Sequence, residues 1–159
     1  RSVMGEHFDE ELTEPFTRAL VQRVRGGPPD LLAQSVATLE DSVRRAMHSF
    51  DGVDVLMCPT VPFTAYPIGT LHPHADADEA ISYTEKLAGY TAIASLAGWP
   101  AMSLPAPVAD DDLPVGCHFQ APLGKDALLL QLALQLEFAA PWRDRWPPLT
   151  RAAAVAAQP

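Results

Sequence analysis

The sequence predicts an α/β fold, part of a mixed β-sheet flanked by helices, and three observations predict it. Early segments place apolar residues at steps of three and four, the repeat of a helix with one buried side. Three later runs are short, rich in β-forming residues and closed by proline or glycine. Helical patterning also lies between and after these runs, an order that implies helices packed on a sheet.

The first helix is expected over residues 10–25, where Leu12, Phe16, Leu20 and Val24 recur at steps of four. Gly26-Gly27-Pro28-Pro29 ends it, because neither residue type sustains a helix. Asp30 then stands where an N-cap belongs. Behind it Leu32, Val36, Leu39, Val43, Met47 and Phe50 form one stripe, with Glu40, Asp41, Arg44 and Arg45 opposite. Asp51-Gly52 is a turn before the run 53–58, which reads as a strand buried on both faces and stopped by Pro59-Thr60-Val61-Pro62. Residues 63–77 are loop. Helical character returns over 76–98, where Ser82 and Glu85 have the spacing of a capping box and Gly98 that of a C-terminal cap. Residues 101–104, between Pro100 and Pro105, form a short strand. After the acidic turn Asp110-Asp111-Asp112 comes an alternating strand. It sets Val115, Cys117 and Phe119 against Gly116, His118 and Gln120. The last helix, 127–138, is apolar nearly all round and is expected to be largely buried. The division expected is a helical segment at 1–29, the main body at 30–148 and an Ala-rich tail at 149–159.

Composition narrows the function. Twenty Asp and Glu against 11 Lys and Arg give a net charge of -9. That balance opposes a nucleic-acid partner, which needs a basic footprint, and an anionic membrane surface. No apolar run reaches the ~18 residues of a membrane span. Sixteen prolines, about twice the usual ~5% share, fall in short loop-like clusters with no repeat. No secretory signal is visible, and the opening Arg1-Ser2-Val3, without an initiator Met, suggests a processed or truncated piece. The two cysteines, Cys58 and Cys117, sit in apolar runs and read first as buried, reduced thiols, which points to a cytoplasmic home. A disulfide is the alternative if their Cα atoms come within ~7 Å.

Self-contained catalytic motifs are missing. The chain has no G-x-S-x-G elbow, P-loop, G-x-G-x-x-G or C-x-x-C. His72 and His74 beside Asp76 and Asp78 lack a second ligand pair at fixed helical spacing, so a solvated loop is preferred to a metal site. Nothing local supplies Cys58 with a base or lowers its pKa, and His118 reads as a hydrogen-bonded residue. No metal, cofactor or catalytic residue is assigned.

Three segments are more specific together. They are Asp54-Val55-Leu56-Met57-Cys58-Pro59-Thr60-Val61-Pro62, then Ser95-Leu96-Ala97-Gly98-Trp99-Pro100-Ala101-Met102-Ser103-Leu104-Pro105, then Leu113-Pro114-Val115-Gly116-Cys117-His118-Phe119-Gln120. A Leu-rich helix and Glu137 follow. From about residue 30 to 146 this order resembles the C-terminal portion of the amidase signature family. There the pattern runs D-x-L-x-x-P-T-x-P, N-L-x-G-x-P-A-x-S-x-P and L-P-V-G-x-Q. Ser95 stands for the family's frequent Asn, and the usual Gln falls at Phe119 or shifts to Gln120. Family members acting on glutamine or glutamyl-tRNA carry an acid where this chain has Ala88, which argues against a tRNA-dependent amidotransferase.

The resemblance implies hydrolysis of amide carbon–nitrogen bonds by a serine, a second serine in a cis peptide and a lysine, because a hydroxyl attacks poorly until a base takes its proton. In the family those groups lie upstream of the matched region. Here there is no Gly-Ser-Ser run, and the only lysines, Lys86 and Lys125, lie outside the catalytic motif. The expectation is therefore a segment that supplies sheet core and pocket walls. Pro59, Thr60 and Ser95 would line the cleft for a small-molecule amide, with no cofactor. The catalytic half would come from upstream sequence, and the exposed sheet edge would otherwise drive self-association. The alternative is a stand-alone, non-catalytic remnant that serves as an interaction module.

Overall fold

The structure, a computed structural model, describes residues 9–70, 76–106, 113–145 and 150. His72, His74, the Asp110-Asp111-Asp112 turn and nearly all of the 149–159 tail lie outside these. The chain opens with a 3-10 turn, Glu10–Leu12, followed by α1 (Pro15–Arg25) and α2 (Leu31–Met47). A second 3-10 turn, His48–Phe50, leads to β1 (Leu56–Pro59). Next come α3 (Ala77–Ala88), α4 (Ala92–Ala97), β2 (Ala101–Pro105), β3 (Gly116–Gln120) and α5 (Asp126–Ala139).

The expected helix 10–25 is broken in two. Pro15 lacks an N–H and has a fixed φ, so it starts α1 and cannot continue an earlier turn. Glu10 bridges the break, taking a hydrogen bond from Gln22 Nε2 at 2.8 Å and pairing with Arg25. Asp30 does sit at the N-cap of α2, but its carboxylate takes a hydrogen bond from the Gln34 side chain, not from the helix backbone.

The capping box placed at Ser82 and Glu85 is corrected. Asp76 is the cap of α3, accepting from the N–H groups of Asp78 and Glu79 at 3.0 and 3.1 Å. Ser82 lies within the helix. An aspartate cap contributes about 1 kcal/mol, and its charge also suits the positive end of the helix dipole. The single helix expected over 76–98 divides at Gly89-Tyr90-Thr91, separating α3 from α4. Gly98 closes α4 as predicted, with φ +68°, a conformation that costs side-chain-bearing residues energy.

The three predicted strands lie in one sheet of order β1-β3-β2, with both pairings antiparallel. Cys58 and Ser103 flank His118, while Met57 and Met102 flank Phe119. On the Phe119 face, Phe119, Ala121 and Leu129 form the core, with Met102, Leu104, Cys117, Leu132 and Leu136 against it. Leu129, Leu132 and Leu136 recur at steps of three and four, so one side of α5 meets the sheet. The expectation that α5 is largely buried is corrected. Leu130, Leu134 and Phe138 are 65, 68 and 90% exposed and form a second stripe at steps of four. β1 is likewise covered less than predicted, since Met57 is exposed, and so are Leu32, Val36, Leu39 and Met47 of the α2 stripe. Among the described residues no helix is long and apolar enough to cross a membrane.

Candidate functional site

The sheet face opposite α5 carries the polar groups. Strand alternation puts Gly116, His118 and Gln120 there, together with Cys58 from β1 and Ser103 from β2. The peptide after β1 adds Thr60, whose N–H donates to the Gly116 carbonyl at 2.9 Å. Its hydroxyl lies 2.5 Å from the Ser103 hydroxyl, either one being the donor. The pair passes over the central strand where that strand has no side chain. A Cβ on Gly116 would come within 2.5 Å of Thr60 Oγ1 and 2.9 Å of Ser103 Oγ, far inside van der Waals contact.

Further along this face, Gln120 Nε2 donates to the Tyr90 carbonyl at 3.5 Å and approaches Cys58 Sγ at 3.7 Å. Tyr90 belongs to the turn between α3 and α4, so this amide ties that turn to the sheet. His118 and Gln120 are 7 and 4% exposed, and His118 Nε2 and Gln120 Oε1 have no hydrogen-bond partner among the described residues. The expectation of a hydrogen-bonded His118 therefore fails at Nε2. The cysteines are free and half-buried, not fully buried as predicted. They occupy opposite faces, because Cys58 is opposite His118 whereas Cys117 is opposite Pro59.

Burial pushes the His118 imidazole below its ordinary pKa of 6.5, because desolvation disfavours the cation. The unfolded chain consequently takes up this proton first as pH falls. His118 lowers stability as pH drops below 6.5 and has no such effect above it. His118→Gln should flatten the stability curve over that acidic limb. Chemical denaturation at stepped pH measures it, and an unchanged slope would refute the assignment.

Of the residues predicted to line a cleft, Pro59 ends β1 on its exposed side and Thr60 follows it, half-buried. Ser95 lies on α4, exposed, next to the buried Ala94. No hydrogen bond joins Ser95 to Thr60 among the described residues. Beyond Thr60 the chain carries an aromatic cluster. The Phe63 ring centroid is 4.8 Å from that of Tyr66 and 5.0 Å from that of Tyr83 on α3. An open groove of about 490 Å³ between α1 and α3 is lined by Ala19, Arg23, Asp78, Ile81, Ser82 and Glu85, and holds none of the predicted residues. Both lysines are exposed on or beside helices, and no group of three metal-ligating side chains occurs among the described residues.

Sequence reasoning did not join Ser103 and Gly116 to Thr60. All three stood in the quoted segments, but only the strand register brings them together. One position is also corrected. Counted from Gly116, the second residue is His118, so His118 stands where the family pattern has its Gln. Phe119 faces the opposite way, into the core.

Comparison with known proteins accords with this geometry. The family model described as Amidase matches residues 4–130. AmiC, a protein of Mycobacterium bovis named as an amidase, is 32% identical over 142 residues, 89% of this chain and 30% of that protein. A glutamyl-tRNA(Gln) amidotransferase component from a Cyanothece species is 38% identical over 119 residues, 75% of this chain and 23% of its own length. The structure of 6-aminohexanoate cyclic dimer hydrolase superposes with a TM-score of 0.78 at 29% identity, over 94% of this chain and 32% of that one. The chain thus spans about a third or less of the length of these relatives.

Proposed function

Because the chain belongs to the amidase family, we propose that it is the C-terminal part of an enzyme that hydrolyses small-molecule amides. In this reading it supplies sheet core and pocket walls, while upstream sequence supplies the nucleophile and base. The observation that carries the reading is the match in fold over nearly the whole chain to a third of 6-aminohexanoate cyclic dimer hydrolase. Exposed apolar stripes on α2 and α5 support it, since a solitary domain seldom leaves such faces open. The upstream part of the domain would cover them, and the partner of this chain is that part, not a nucleic acid or a membrane.

Pro59, Thr60 and Ser95 are the proposed pocket residues, on the acyl side of the substrate. Thr60 would contribute its backbone and methyl group, its hydroxyl being engaged with Ser103. Made in the complete polypeptide, Ser95→Ala and Pro59→Ala should each lower kcat/KM severalfold for at least one small amide. The scale is that of losing part of a pocket contact, about 1 kcal/mol or roughly fivefold. Unchanged kcat/KM for every amide tested would remove these residues from the pocket.

A further inference from the structure

The hydroxyl pair above Gly116 joins three segments that are far apart in the chain. Thr60 comes from the turn after β1, Ser103 from β2 and Gly116 from β3, the strand between them. Its contacts are mutually dependent. The Thr60 N–H closes on the Gly116 carbonyl at 2.9 Å, which sets the residue over the central strand. The hydroxyl then reaches Ser103 at 2.5 Å, and both oxygens occupy the volume that a Gly116 side chain would take. From this geometry we infer that Thr60, Ser103 and Gly116 form a lock between strands that positions the loop 61–70.

This loop begins immediately after Thr60 and carries Phe63 and Tyr66, whose rings pack with Tyr83 on α3. The loop is therefore held at two points, by hydroxyls at its root and by rings against a helix. Proline at 62 and at 67 leaves two fewer N–H groups with which it can hold itself. Most of its residues are exposed, so its own burial does little to fix it. Thr60 acts through the loop and not on the reacting atoms. Ser103 and Gly116 are positioning residues in the same sense. The role rests on the proposed pocket only in that the loop is taken as part of its wall.

The test uses the complete polypeptide carrying Thr60→Val, Thr60→Ser, Ser103→Ala or Thr60→Val with Ser103→Ala. Amide hydrogen exchange across 61–70 is followed by mass spectrometry, beside kcat and KM for a small amide. Thr60→Val and Ser103→Ala should each speed exchange in 61–70 about fivefold, the size expected for one lost hydrogen bond. The double variant should equal either single one, because both remove the same bond, and Thr60→Ser, which keeps the hydroxyl, should show parental exchange in 61–70. KM should rise severalfold with kcat retained, a split that general destabilisation would not produce. Gly116→Ala should open the same loop, and should do so less with Thr60→Ala and Ser103→Ala, which empty the volume that the new Cβ would enter. Additive effects of the two single variants, parental exchange in Thr60→Val, or faster exchange with unchanged KM would each overturn the lock as a positioning device. If no amide is hydrolysed at all, the proposed function fails, and the exchange measurements still decide the lock.

Discussion

The 159-residue chain by itself is expected to leave a chromogenic anilide or a nitrophenyl ester at its uncatalysed rate. Enzymes lower such barriers by about 8–23 kcal/mol, which requires an activated nucleophile, a base and donors at the developing oxyanion. The described residues offer none of these as a set. Ser103 is bonded to Thr60, both lysines stand exposed on or beside helices, and the Cys58 thiol meets only a carbonyl and an amide. Pocket walls alone bind substrate and transition state alike, which leaves the chemical step no faster. If the chain is the C-terminal part of an amide hydrolase, as proposed, joining it to the upstream part should raise turnover by several orders of magnitude. Steady hydrolysis by the isolated chain, lost on Cys58→Ser or His118→Ala, would instead assign the chemistry to this segment.

Phe119→Ala should cost about 3–5 kcal/mol, a large part of the roughly 5–15 kcal/mol that ordinarily separates folded from unfolded states. Phe119 is buried in the central strand, between Met57 and Met102, and packs with Ala121 and Leu129 under α5. Its loss removes contacts with both flanking strands and the helix together. Phe119→Leu keeps most of the volume and should cost less than half as much. Urea unfolding followed by far-UV circular dichroism measures both. A Phe119→Ala midpoint within error of the parent would show that the core lies elsewhere.

Much of this fold was legible in the sequence because its local signals are strong. Gly98 announced the end of α4, alternation assigned both faces of β3, and the 26–29 Gly-Gly-Pro-Pro run separated α1 from α2. The misreadings share a physical cause, which is that a local pattern does not say which of several competing positions wins. Ser82 with Glu85 has capping spacing, yet Asp76 stands earlier and satisfies the α3 N–H groups first. The 10–25 periodicity runs through Pro15, and the periodicity cannot override a missing N–H. Apolar composition likewise overstated the burial of α5, since it predicts only that a face should be covered. The Thr60, Ser103 and Gly116 contact was illegible for a different reason. It depends on register between strands, which no single segment encodes.

The strand order has a consequence for synthesis. Among the described strands β3 is the last made, yet it is the one to which both β1 and β2 are hydrogen-bonded. As the polypeptide leaves the ribosome from its N-terminal end, β1 and then β2 emerge without their partner. Each is an apolar strand with open hydrogen-bonding edges until residues 116–120 clear the exit tunnel. The earlier helices form while the sheet waits, and every strand pairing in it closes late and nearly at once. A nascent chain whose residues 101–105 have cleared the tunnel while 116–120 are still inside it is thus the species for which a holding chaperone has most to cover.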